Sequence, residues 1–576
     1  MKARPGCVYE FGPFRVEPAE RRLLREGTPI ILTAKVLDLL LALVERAGHL
    51  VSKEELLRRV WPDSFVEEAN LSVNISALRR AIGDGHQNSG KYIETIPRVG
   101  YRFVAPVRAV AVATGESVIH SICVLPLSNL SGDPAQEYFA DGMTEELITF
   151  LAKSSTLRII SRTSAMHFKE THKTVPEIAR ELNVDAVVEG AVARDGDRVR
   201  ISAQLIEART DQHLWAESYE GDLGDVLGLQ NQVALAIANE IKVKLTPLHQ
   251  GLHRARGRAV SYEVHELYLK GRFHWNKRTE DGLKKSIEYF QQAIEGAPSY
   301  ALAYSALADS YNMLGLWSVL PHTEVAPKAK AAATKALEID DELAEAHASL
   351  GWSRFAFDWD WMGAEKELKR AIKLNPGYES AHRWLCNCLQ QQGRLDEASV
   401  EIKVAKELDP LSLVNNTVLG QNLYFLQKYD QAIEQERRTL EIDNFAYAHY
   451  VLGSAYEQKG DVGKAIAEFQ TAATLNANPV YPAGLGHALA LAGRRSEARK
   501  LLNELKKLTI ERNVAYSEVA AIYFGLGEKG HALAALETAY KKHSSQLNWV
   551  KVDPRFCSLH KDPRFQDLLR RMNLQS

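Results

Sequence analysis

From Tyr262 onward the chain repeats itself. Small residues recur at Ala308, Gly351, Cys386, Gly420, Gly453, Gly486 and Ala520, at intervals of 43, 35, 34, 33, 33 and 34 residues. A second register, Ala364, Ala398, Ala432, Ala465, Ala498 and Ala532, steps by 34, 34, 33, 33 and 34. Two registers of small residues on one period describe pairs of helices that approach closely. The apolar positions of such a pair are buried only when neighbouring pairs stack. The 43-residue interval marks an insertion around Leu316 to Pro327.

A helix-turn-helix period of ~34 residues is the signature of the tetratricopeptide (TPR) repeat, and counting from Tyr262 gives about eight units. The array is expected over residues 262–543. Its concave face is the expected seat of a protein or peptide partner. The segment WSRFAFDWDWMG, Trp352 to Gly363, is rich in aromatic residues, which are expected to fill the core between repeats. Residues 544–576 carry two DPRF turns and a final amphipathic helix and are expected to cap the open end of the array.

The N-terminal part reads differently. YEF, FRV, RRLL and TPIIL, separated by turn residues, predict a meander of short strands. Thr33 stands at a helix N-cap position before AKVLDLLLALVERAG, and Ser52-Lys53-Glu54-Glu55 reads as a capping box opening a second helix through Trp61. In EEANLSVNISALRRAIGDG, Leu71, Ile75, Leu78 and Ile82 recur at helical spacing, while polar and cationic residues cover the other faces. Gly83 and Gly85 end that helix. KYIETIPRVGYRF then predicts a hairpin with Arg98 near its tip. A half-buried helix followed by such a hairpin is what a winged helix presents to DNA.

LSVNISALRRAIGD followed by YIETIPRVGYRF resembles the effector domain of OmpR/PhoB-type regulators, in the ToxR/CadC style that places this domain first. The resemblance implies double-stranded DNA as partner. It places Asn70, Val73, Asn74, Ser76 and Ala77 toward the groove floor or its edge. Arg79 and Arg80 are then expected at phosphates and Arg98 on the wing, with Thr95 and Tyr101 as hydrogen-bond donors to the backbone. Family members often carry charged residues where this chain has Ser76 and Ala77. The thin basic set points to a homodimer or tandem sites. The loop from Pro62 to Val66 corresponds to one that often faces the transcription machinery, so RNA polymerase is a further expected partner. Unlike the ToxR/CadC type, the chain has no membrane span after this domain. The stretch there is only RAVAVATGES.

Between the two parts, residues 118–246 alternate strand and helix patterns. VLPLSNLSGDPAQEYFADGMTEELI and VDAVVEGAVARDGDRVRISAQLI resemble the TolB N-terminal-like domain, which implies a fold but no settled chemistry. Asp133, Glu137, Asp141 and Glu145 suit a helix N-terminus better than a metal or acid/base site. The expected architecture is therefore multidomain: a winged helix-turn-helix (α+β) over residues 7–107, a linker 108–117, a small α/β domain over 118–246, a linker 247–261, then an all-α TPR solenoid.

Net charge is −2, which gives no overall hint of nucleic acid. Its distribution does. Residues 8–68 hold 9 Lys/Arg against 11 Asp/Glu, whereas 69–107 hold 5 against 2, so positive charge falls on the proposed DNA-facing side. Five scattered cysteines suggest buried thiols, because Cys386-x-Cys388 has the wrong spacing for zinc. No apolar run reaches the ~18 residues of a membrane helix and no signal peptide opens the chain. The expectation is a soluble cytoplasmic protein. Gly460-Asp461-Val462-Gly463-Lys464-Ala465 lacks the spacing and hydroxyl of a phosphate loop, and no metal site, cofactor or catalytic motif is expected. The reading is a DNA-binding transcriptional regulator. The alternative is a non-catalytic scaffold whose winged helix makes protein contacts.

Overall fold

Alternating apolar and polar residues produce the N-terminal meander that they predict. Strands β1 (Cys7–Phe11), β2 (Phe14–Glu17), β3 (Arg22–Arg25) and β4 (Thr28–Ile30) pair antiparallel in sequence order. The computed structural model describes residues 7–18, 21–25, 28–30, 32–61, 66, 68–84, 92–111, 119–153, 157–241, 260–317, 319–512 and 516–574. They fall into two compact units, Met1–Val118 and Ile119–Ser576.

In the first unit α1 (Ala34–Val44) follows Thr33, whose side chain makes no cap bond. Strand β5 (Leu50–Ser52) leads into α2 (Lys53–Val60), where Ser52 Oγ accepts the Glu55 N–H at 3.1 Å. The reciprocal half of the expected capping box does not form, because the Glu55 carboxylate meets Arg46 at 3.3 Å instead. Helix α3 (Glu68–Ile82) buries Leu71, Ile75, Leu78 and Ile82. The hairpin β6 (Ile93–Ile96) and β7 (Gly100–Phe103) is joined by β5 into a three-stranded sheet of order β5-β7-β6. Phe11, Phe14, Tyr92 and Phe103 pack their rings into one aromatic cluster of this core.

One expected boundary moves. Arg108 to Ala111, read as the start of a linker, is a strand (β8) that pairs antiparallel with β1, Glu10 opposite Arg108. The reason is physical: β1 would otherwise present an unpaired edge of N–H and C=O groups. Residues 112–117 of that linker, and 247–259 of the second one, lie outside the described residues. So do residues 62–65 of the loop expected to face the transcription machinery.

The second unit begins with β9 (Ser121–Val124) and β10 (Ser128–Asn129), then α4 (Glu137–Ala152), β11 (Arg158–Ile159), α5 (Arg162–Met166) and α6 (Val175–Leu182). The long strands β12 (Ala186–Asp195), β13 (Arg198–Glu207) and β14 (Gln212–Asp222) complete a mixed sheet of order β11-β9-β12-β13-β14, and β10 pairs with β12. The β12–β13 hairpin turns through Gly196 and Asp197, with Gly196 at φ +56°, a left-handed conformation that glycine adopts without penalty. Helix α7 (Val226–Glu240) packs on this sheet.

The repeats follow as helix pairs, from Tyr262–Asn276 with Glu280–Gly296 through Tyr516–Gly525 with Lys529–Lys541. Contact at the small positions is close: a Cβ on Gly351 would lie 2.8 Å from the Leu368 side chain, and one on Gly453 would lie 3.0 Å from Phe469. A histidine on the first helix of a pair repeatedly meets a glutamate on the second, as in His347–Glu367, His382–Glu401 and His449–Glu468, with Nδ1 to Oε2 distances of 2.6–2.7 Å. The aromatics Trp352, Phe355, Phe357, Trp359 and Trp361 are buried, as expected, while Met362 is exposed.

Two features go beyond a simple solenoid. The middle sheet region packs directly on the array. Glu145 of α4 is ion-paired with Arg162 and Arg272, and Tyr138 donates to Glu266. Farther along, the Ser164 N–H donates to Asp409 at 3.0 Å, and the Leu411 N–H to Ser164 Oγ at 2.9 Å. The tail does cover the last repeat, where Arg571 pairs with Glu537, but it also reaches much earlier ones. Trp359 Nε1 donates to Asn548 at 2.8 Å, and Trp361 Nε1 to the Met572 carbonyl at 2.7 Å. Of the cysteines with described side chains, Cys123, Cys386 and Cys388 are buried, but Cys557 is exposed on the tail, against the expectation of buried thiols.

Candidate nucleic-acid interface

Helix α3 has two opposite stripes. Leu71, Ile75, Leu78 and Ile82 recur as i, i+4, i+7 and i+11 and face the core. Val73, Ser76 and Arg80 recur as i, i+3 and i+7 on the other side and are exposed, Val73 at 67%. Asn70 is exposed, and Asn74 and Ala77 are half-buried at the stripe edges. The period of 3.6 separates the stripes, so the residues that fix the helix are not those that face outward.

Several polar groups on this helix bond locally. Asn74 Nδ2 donates to the Asn70 carbonyl at 2.8 Å, and Ser76 Oγ to the Ser72 carbonyl at 2.9 Å. Such back-bonds satisfy the donors while the exposed faces of these side chains remain polar.

Arg79 is placed differently from the expectation. Its Nη2 donates to the Ile93 carbonyl at 2.9 Å and to Thr95 Oγ1 at 2.8 Å, and its Nε lies 3.4 Å from Asp84. The Asp84 side chain, 3% exposed, also accepts the N–H groups of Tyr92 and Ile93 at 2.7 and 3.1 Å. Arg79 therefore clamps α3 to β6, and its charge is already compensated. Tyr101, read as a phosphate donor, is 5% exposed and belongs to the core. It occupies an inward position of β7, between β5 and β6, where burial of the ring dominates. Thr95 is exposed on the wing, with its hydroxyl accepting from Arg79.

Arg98 sits at the wing turn with φ +66° and is exposed, next to exposed Val99. The left-handed conformation closes the short turn, whose Val99 N–H donates to the Ile96 carbonyl at 3.1 Å. Arg80 and Arg98 are the cations of this face not committed to an ion pair among the described residues. Gly100 is needed for close approach: a Cβ there would lie 2.1 Å from the Val51 carbonyl oxygen. Sequence reasoning missed Asp84, whose bonds organise the junction of helix and wing. The one signal was its place directly after the helix-ending Gly83.

The helix and hairpin have the arrangement of a winged helix, and the family comparison agrees at that level. The family described as transcriptional regulatory protein, C terminal, matches residues 27–103. Two tetratricopeptide repeat families match residues 360–416 and 417–479. A Rhizobium meliloti protein named "Putative adenylate cyclase 3" is 34% identical over 48% of this chain, which spans 41% of that relative. The transcriptional regulator HilA of Salmonella typhimurium is 25% identical over 67% of this chain and 68% of its own length. The transcriptional activator CadC of Escherichia coli is 31% identical over 20% of this chain and 22% of its own. The solved DNA-binding domain of CadC is 31% identical, covering 18% of this chain and 97% of that structure, with a TM-score of 0.17. Among the described residues no helix is long and apolar enough to cross a membrane. The chain carries an OmpR/PhoB-type DNA-binding domain, followed in its C-terminal part by tetratricopeptide repeats.

Proposed function

We propose that this protein is a sequence-specific transcriptional regulator acting in the cytoplasm, without catalysis of its own. The observation that carries the reading is the outward stripe of α3, Val73, Ser76 and Arg80 with Asn70 beside it, flanked by the wing arginine Arg98. An apolar Val73 suits a thymine methyl group in the major groove, and Asn70 and Asn74 suit an adenine edge. Arg80 and Arg98 supply phosphate contacts that set register. With so few cations, binding to paired half-sites as a homodimer supplies the remaining affinity. The middle region, read as a TolB N-terminal-like α/β domain, and the repeats take a protein partner whose state is passed to the DNA-binding end. RNA polymerase is a candidate contact for the 62–66 loop.

The test is binding of Met1–Val118 and of the full chain to genomic fragments, including the gene's own promoter, across a salt series. Selective binding that weakens with salt supports the regulator. Absence of binding at low salt by both shifts the reading to a non-catalytic scaffold.

A further inference from the structure

The sequence contains the tetrapeptide Asp-Pro-Arg-Phe twice, at 553–556 and 562–565. Both copies fold on themselves in the same way. Asp553 Oδ1 accepts the Arg555 N–H at 3.0 Å, and Asp562 Oδ1 accepts the Arg564 N–H at 2.9 Å. In each copy the arginine also folds back onto its own aspartate. The motif is thus preformed, which lowers the ordering cost of binding.

The two copies differ in surroundings. The Arg564 side chain is 65% exposed, whereas Asp553 and Arg555 are at 6% and 9%. The inner copy lies against the first helices of several repeats. Tyr424 donates its hydroxyl hydrogen to Asp553 at 3.0 Å, and Arg555 Nη2 donates to the Tyr450 hydroxyl at 2.7 Å. Phe556 packs on Phe524 with ring centroids 5.8 Å apart, and Trp549 stacks on Phe425 at 5.8 Å. Lys551 Nζ donates to the Gln392 carbonyl at 3.1 Å. This is how a peptide is held: short turns, aromatic anchors and side-chain bonds to successive helices. The face also has an unmet demand. Glu457, on the same helix as Tyr450 and two turns beyond it, keeps one buried carboxylate oxygen without a hydrogen-bond partner, while its other oxygen meets His487 Nδ1 at 2.9 Å.

We propose that the array face formed by Tyr424, Tyr450, Glu457 and Phe524 is a recognition surface for a peptide of Asp-Pro-Arg-Phe chemistry, which residues 545–559 occupy as a tethered competitor. This deepens the reading of the repeats as a partner-binding region and rests on it. A partner carrying one more donor, placed to meet Glu457, has an advantage over the tail. It must overcome an effective tail concentration on the order of millimolar, so binding and release of the tail form an exchange.

The probe is a fluorescein-labelled peptide with the sequence of residues 545–559, titrated into the full chain by anisotropy. The double variant Arg555→Ala/Phe556→Ala, with a loosened tail, is expected to bind it at least about tenfold more tightly than the wild type. Adding Tyr424→Phe and Tyr450→Phe is expected to reverse the gain. A loosened chain that stays helical yet binds no peptide overturns the proposal. Hydrogen exchange on the wild-type chain gives a second reading should the variant not fold. Tail amides that open while helices 413–425 and 446–458 stay protected support exchange, and opening of all three in one event overturns it. DNA binding by the same preparations is read separately, so failure of the peptide surface is distinguishable from failure of the regulator reading.

Discussion

Replacing Arg79 by alanine separates a structural arginine from a DNA-contacting one. The change removes two guanidinium hydrogen bonds, to Ile93 O and Thr95 Oγ1, and the 3.4 Å ion pair with Asp84. Asp84 is left buried but keeps the N–H groups of Tyr92 and Ile93, so it is not orphaned. The Arg79 side chain is 31% exposed, which discounts the ion pair by solvent screening. Two charge-assisted bonds, partly replaced by water, and a weakened pair give a loss of about 2 kcal/mol. For a unit of this size that lowers Tm by on the order of 10 °C. Thermal unfolding of Met1–Val118, followed by circular dichroism, reads this directly. DNA titration across salt reads the other quantity. A phosphate contact removed would lower the slope of log K against log salt by about 1. The expectation for Arg79→Ala is a fall in Tm with an unchanged slope. A slope reduced by about 1 with Tm held within about 2 °C would refute the clamp.

Arg80→Ala and Arg98→Ala should behave oppositely, each lowering the salt slope by about 1 while leaving Tm nearly unchanged. Gly100→Ala places a Cβ 2.1 Å from the Val51 carbonyl oxygen, so β5 and β7 must separate; the expected loss is about 3 kcal/mol or more, read by denaturant unfolding of the same fragment. Burial, together with the charge of Glu379, pushes the Asp409 carboxyl up to about 7 despite its hydrogen bonds from Ser164. A raised carboxyl contributes stability that is complete below its unfolded value near 3.8 and is lost as pH rises through about 7. The contribution of Asp409 to full-chain stability should therefore fall between those limits, by at most on the order of 4 kcal/mol. Asp409→Asn should flatten that window in pH-dependent melts; an unchanged profile would rule out Asp409 as its source.

Much of the chain was legible because its signals are local. The i, i+4, i+7 stripe of α3 names its own buried side. The 34-residue period requires stacked helix pairs, and IPRVGYRF carries both the turn and the glycine that β5 needs. What was not legible depends on residues distant in sequence. Arg79 and Arg80 are adjacent and chemically alike, yet one helical step, about 100° of rotation, puts the first against Asp84 and β6 and the second in solvent. Tyr101 reads like an exposed wing donor until β5 pairs with β7 and closes over it. Leu50 to Ser52 is too short to announce itself as a strand, and β8 becomes one only because β1 has an edge to fill.

The same division holds for the larger half of the molecule. Sequence alone determined the helix pairs, their period and the small residues at their contacts, because each repeat is built from neighbours in the chain. Tertiary structure alone decided that the middle sheet region docks on the array through Glu145–Arg272 and Ser164–Asp409. It also decided that the DPRF tail runs back to Trp359, Tyr424 and Tyr450. Those partners lie more than a hundred residues apart, and no local period records a pairing that is fixed by shape and buried charge.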